Sequence, residues 1–69
     1  MKTYTILYRT EDRNNFSVLP AFDIKDEKVA IEKAHELFNN NANLAEIIIV
    51  FGEYLPVWQM TTEEYARIL

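Results

Sequence analysis

The run Ile47-Ile48-Ile49-Val50-Phe51 places five apolar side chains in succession with no polar alternate. Successive side chains of a β-strand point to opposite faces of a sheet, so a strand of this kind is apolar on both. A chain of 69 residues has few elements with which to cover two sheet faces. Either a second helix covers the far face, or a partner does.

Composition supports the first requirement, a core. Hydrophobic residues make up 49% of the chain and aromatic residues 13%, which is the balance of a folded protein and not of a disordered one. The length fits a single domain, residues 1–69. Domains this small bury a low fraction of their surface and often lean on a staple or a partner. There is no cysteine, so no disulfide and no thiolate metal site, which fits a reducing cytoplasm.

Eleven acids against seven bases give a net charge of −4. The bases Lys2, Arg9, Arg13, Lys25, Lys28, Lys33 and Arg67 are dispersed, usually beside acids. Such a surface repels a phosphate backbone, so direct nucleic-acid binding is not expected. The opening residues Met1-Lys2-Thr3-Tyr4-Thr5 carry no apolar run of the signal-peptide type. The longest apolar run is too short to span a membrane. The expectation is a cytoplasmic protein without membrane contact.

The pattern along the chain predicts a ββαββα order. Lys2 to Arg9 reads as a strand with Tyr4, Ile6 and Tyr8 on one face and Thr3, Thr5 and Leu7 on the other. The polar stretch Thr10 to Asn15 is turn-prone, because Asp and Asn side chains bond their own backbone. Phe16 to Leu19 is the returning strand of a hairpin, and Pro20, which has no amide donor, ends it. Asp23 or Asp26 caps a helix running to about Asn39. Its apolar residues Ala30, Ile31, Ala34, Leu37 and Phe38 fall within an arc of roughly 120° at about 100° per residue. An asparagine in the Asn39-Asn40-Asn41 run is expected to end it in the left-handed region.

Ala45 to Phe51 is the third strand, and Gly52-Glu53 fits a two-residue type II′ turn. Tyr54 to Met60 is the fourth strand, an edge or a bulge at Pro56. Thr61 and Glu64 have capping-box spacing for a short last helix to Leu69, with Tyr65, Ile68 and Leu69 on one side. The fold class is therefore α+β: a four-stranded, mostly antiparallel sheet, one long helix on one face and a short C-terminal helix. That last helix has the length to cover part of the other face or an end. The candidates for apolar surface left uncovered are Tyr4, Tyr8, Phe22, Tyr54 and Trp58, which would mark a binding surface if they gather in one patch. The other reading of each is a core residue, the commoner place for such side chains.

No catalytic motif is visible. His35 is the lone histidine, with Glu32 and Glu36 at helical spacing, but no second histidine or cysteine completes a ligand set. Ser17 is the single serine and lacks a nucleophile-elbow context. One glycine cannot make a glycine-rich phosphate loop. The expectation is no enzyme, no metal and no cofactor. The acids also raise mimicry of DNA, but a net charge of −4 is ordinary for a soluble small domain.

Residues Tyr4 to Phe38 resemble the HicB-type antitoxins in Glu11-Asp12, Phe16-Ser17-Val18, Pro20 and the Ala30/Ala34 helix. They lack that family's turn glycines and its third strand before the helix. The whole chain is similar in size and element order to small phage-encoded inhibitor proteins, including some anti-CRISPR proteins. The shared features are the Asp26-Glu27-Lys28-Val29-Ala30 helix start and the Gly52 hairpin. The second resemblance implies a non-catalytic, protein-binding inhibitor in the host cytoplasm that blocks a host defence protein by steric occlusion. Tyr4, Tyr8, Tyr54 and Trp58 would anchor the partner, and Glu11, Asp12 and Glu53 would steer towards a basic patch. The alternatives are an antitoxin-like or regulatory subunit that pairs with itself and a toxin, and a small enzyme or metal protein using His35. A homodimer is open in each case.

Overall fold

A computed structural model describes residues 3–19, 24–52 and 55–68. The elements are β1 (Tyr4–Thr10), β2 (Ser17–Val18), α1 (Glu27–Asn40), β3 (Leu44–Phe51), β4 (Leu55–Thr61) and α2 (Thr62–Ile68). The four strands form one antiparallel sheet in the order β2-β1-β3-β4. The α+β class and the element order are those expected from the sequence. Lys2, Pro20, Phe22, Asp23, Glu53, Tyr54 and Leu69, each assigned a role above, lie outside the described residues.

β1 and β3 form the centre of the sheet, with Ile6 opposite Ile49 and Tyr8 opposite Ile47. Residues directly opposite each other share a face. Tyr4, Ile6, Tyr8, Ile47 and Ile49 therefore point to one side, together with Trp58 and Met60, which oppose Ile49 and Ile47. The core forms there. Ile6, Ile47 and Ile49 are fully buried, and Ala30, Ala34 and Phe38 of α1 press on them with Ile24 and Leu44. The two alanines are small enough to let the helix backbone settle close to the strands. Each buried isoleucine contributes on the order of 2–3 kcal/mol by leaving water. Val29, on the polar side of α1, is exposed.

Local chemistry sets the helix ends. Asp26 is the N-cap of α1 and its carboxylate accepts from the Lys28 amide at 2.9 Å. The C-terminus departs from expectation. Asn41 is extended (φ −134°, ψ 98°) and not left-handed. Its Nδ2 instead donates to the Leu37 carbonyl at 2.9 Å, so the side chain satisfies a terminal carbonyl that a left-handed cap would satisfy through the backbone. At α2 the capping box forms in both directions. The Glu64 amide donates to Thr61 Oγ1 at 3.3 Å, and the Thr61 amide donates to Glu64 Oε1 at 3.1 Å.

β2 is shorter than the Phe16–Leu19 strand expected. Only Ser17 and Val18 pair, with Tyr8 and Leu7, although the Leu19 amide still donates to the Ile6 carbonyl at 2.9 Å. β4 is both an edge and bulged. Its register against β3 slips where Ile49 faces Trp58 but Val50 faces Pro56, leaving Val57 unopposed. Gly52 turns the chain with φ 68°, a region glycine enters without a Cβ clash. The type II′ assignment also needs Glu53, outside the described residues.

α2 does not cover the far face. Tyr65 stacks on Phe38 of α1, ring centroids 5.1 Å apart, and its ring lies 5.6 Å from that of His35. Both helices therefore sit on the same side of the sheet. Ile68, expected beside Tyr65 on the packed side, is exposed.

Candidate functional site

β1 and β3 run antiparallel, so the end of β1, the turn that follows it and the start of β3 meet at one end of the sheet. The β1–β2 connection is tied there by the Glu11 amide, which donates to the Asn43 carbonyl at 2.9 Å. The Arg13 amide donates to the Thr10 carbonyl at 3.2 Å. The Arg9 guanidinium, through Nη1, donates to the Arg13 carbonyl at 3.2 Å. These bonds shape a cleft of two lobes that share Tyr8, Thr10 and Asn43 as their dividing wall.

The inner lobe, about 200 Å³, is floored by Leu19, Leu37 and Leu44, with Asn41 at its rim. The outer lobe, about 350 Å³, is polar and is lined by Asp12, Arg13, Asn15 and Ser17. Thr10 Oγ1 donates to Asp12 Oδ1 at 2.7 Å. That bond first and then the backbone amide of Asp12 itself hold the Asp12 carboxyl below its ordinary value of 3.8; desolvation opposes them, and the positive charge of Arg13 adds the least. Asp12 is therefore a fixed negative charge at neutral pH, exposed at the tip of the turn beside exposed Glu11.

Of the residues singled out from the sequence, the fold brings Tyr8, Glu11 and Asp12 together at this end. Tyr4 lies at the opposite end of β1, its ring 4.7 Å from that of Phe51. Trp58 lies on the edge strand, 5.9 Å from the His35 ring. Tyr4, Tyr8 and Trp58 are all half-buried on the helix side, packed against the core. Of the five aromatic candidates, the three described ones thus fall to the core reading, and the sheet face turned away from the helices is mainly aliphatic among the described residues. Glu53 and Tyr54 lie outside the described residues.

His35 is held between Trp58 and Tyr65, so its ring bridges α1, β4 and α2. Among the described residues no three His, Cys, Asp or Glu side chains gather closely enough to hold a metal ion. No helix among them is long and apolar enough to cross a membrane.

Sequence reasoning missed most of the cleft's lining. Residue type marks the asparagine run as a helix terminator and nothing more. Its position immediately before β3 was the available signal, because antiparallel pairing of β3 with β1 must bring Asn43 beside the end of β1. The leucines of the inner lobe come from three separate elements and carry no local signature. Comparison of the chain with protein-family models, curated protein sequences and solved structures returned no match.

Proposed function

We propose that this chain is a non-catalytic protein-binding module that inhibits a host protein by steric occlusion, as small phage-encoded inhibitors do, acting in the host cytoplasm. The observation that supports the reading is the juxtaposition at one end of the sheet. An apolar lobe and a polar lobe adjoin, the exposed carboxylate of Asp12 lines the polar one, and exposed Glu11 is its neighbour in the chain.

The occupant that fits is a protein surface bearing an aliphatic side chain flanked by basic ones. The aliphatic group enters the lobe floored by Leu19, Leu37 and Leu44. Lysine or arginine pairs with Glu11 and Asp12, where the chain's net charge of −4 also favours approach of a basic partner. Tyr8, between the lobes, supplies an aromatic wall of the type that dominates interface energetics.

Affinity capture from host lysate, run in parallel with wild type and with the exposed-tip variants Glu11→Lys and Asp12→Lys, tests this. The expected result is one stoichiometric partner retained by wild type, at least tenfold less by either variant at equal thermal stability, and inhibited when bound. Retention of nothing by the folded protein, or equal retention by the variants, would overturn it.

A further inference from the structure

The far side of the sheet has a composition of its own. Register places Val18, Leu7, Ile48 and Gln59 in one row across all four strands, and Thr5, Val50 and Pro56 in the row towards the Gly52 end. The row at the other end holds Arg9, Glu46 and Thr61. The single core cluster of the described residues lies wholly on the helix side, and both helices pack there. Leu7, Val18 and Ile48 thus form an aliphatic ridge with no helix above it among the described residues: Val18 is 60% exposed and Leu7 and Ile48 are half-buried, while Val50 in the next row is already buried at 9%.

Charge identifies the occupant. The chain carries −4, yet the charged residues of this face among the described strands are one of each sign. Arg9 Nη2 lies 3.8 Å from Glu46 Oε1, and Gln59 Nε2 donates to the other Glu46 oxygen. The face is neutral and self-paired, so a basic partner finds no unpaired acid there, whereas a second copy brings no like-charge contact across the face itself, the −4 of each chain residing elsewhere. An ion pair straddling neighbouring strands is also self-complementary under a two-fold operation.

We propose that a second copy of the chain packs on this face, sheet on sheet, about a two-fold axis along the seam between β1 and β3. That axis sets Arg9 over the second copy's Glu46 and closes a four-charge ring around the end of an apolar contact. Sheets packed in this way lie about 10 Å apart with strands within about 30° of alignment. Strand spacing and length give an area of about 400 Å² per copy, about 800 Å² in total, which is below the roughly 1,200 Å² of stable specific interfaces and in the range of weak, transient ones. The dimer is therefore reversible and not obligate.

Sedimentation equilibrium of the purified protein from micromolar to millimolar concentration tests the proposal, and needs no partner from the host. The expected result is a dimer fraction that rises with concentration. Ile48→Lys and, as a milder probe at an already exposed position, Val18→Lys should each weaken association at least tenfold, Val18→Lys leaving the dilute protein's melting temperature nearly unchanged and Ile48→Lys lowering it by a few degrees at most while the protein stays folded. Arg9→Glu and Glu46→Arg should each weaken it, and the double swap should restore it. A monomer across the whole range, or a dimer that survives both lysine substitutions in folded protein, would overturn the proposal. The second outcome would place self-association elsewhere, such as the β4 edge.

Discussion

The two faces of this sheet are built from the same residue type in the same strand and meet different fates. Ile47 and Ile49 have no accessible surface, while Ile48 between them stays half-buried on the other side. Among the described residues, the helix side gains eight buried core residues drawn from α1, β1, β3 and the bridge at Ile24. The far side has one buried residue among those described, Val50, and beside it an aliphatic ridge finished by an ion pair. The difference comes from what lies above each face, not from the strand. Both helices were drawn to one side because α2 docks through Tyr65 onto α1.

The largest effect should come from the helix side. Ile49→Ala removes methyl groups from a site with no room to relax and should cost about 2–5 kcal/mol. Ile48→Ala, measured in dilute protein, should cost about 1 kcal/mol or less, because only part of that side chain leaves water on folding of one copy. Urea unfolding of the two variants is the measurement. Equal losses would break the comparison and mean that the far face is covered in the monomer. A cost for Ile48→Ala that grows with protein concentration would sharpen it, since association then adds to stability.

Much of this was legible in the sequence. The alternation in Tyr4-Thr5-Ile6-Leu7-Tyr8, the apolar arc of α1, and the caps at Asp26 and Thr61 are local patterns, and local patterns fix element order and inward faces. Which side α2 takes was not legible. Its seven residues bury nothing completely, so its position rests on partial contacts made across the fold, among them those of the Tyr65 ring with Phe38 and His35. The cleft was half legible for a related reason. Glu11 and Asp12 announce a charged turn, but Asn43 and the leucine floor reach Tyr8 only through strand order and register. Asn41 shows a third limit: residue type pointed to a left-handed cap, and a side-chain hydrogen bond to Leu37 took its place.

The docking of α2 is the next lever. Tyr65→Ala removes the ring stacked on Phe38 and facing His35 and should cost roughly 1–2 kcal/mol from lost apolar contact and ring packing. Amide exchange should accelerate across residues 62–68 more than across α1. Uniform acceleration throughout the sheet would instead make α2 part of the same cooperative unit as the core. The caps separate the helices on a finer scale. Asp26→Ala should cost about 1 kcal/mol, because α1 carries three buried residues and its fraying reaches the core. Thr61→Ala should cost about half as much, because α2 can fray without exposing the centre of the sheet. Melting temperatures of the two variants decide the order.

The smallest expected effect belongs to the exposed end of the molecule. The Asp12 carboxyl is held below 3.8 chiefly by the hydroxyl of Thr10. A carboxyl whose folded value lies below its unfolded value adds stability that is fully present above the unfolded value and is lost as pH falls through the folded one. Thr10→Val removes the donor, so the Asp12 titration midpoint, followed by NMR at its carboxyl carbon, should rise towards 3.8. The stability difference between wild type and Thr10→Val should be constant well above pH 3.8 and shrink below it. An unchanged midpoint in the variant would mean that the Thr10–Asp12 bond does not hold in solution. The tip would then be a mobile pair of charges and not a fixed one. That outcome would also weaken the case for Asp12 as an anchor, since a carboxylate ordered before binding loses less freedom when a cation arrives.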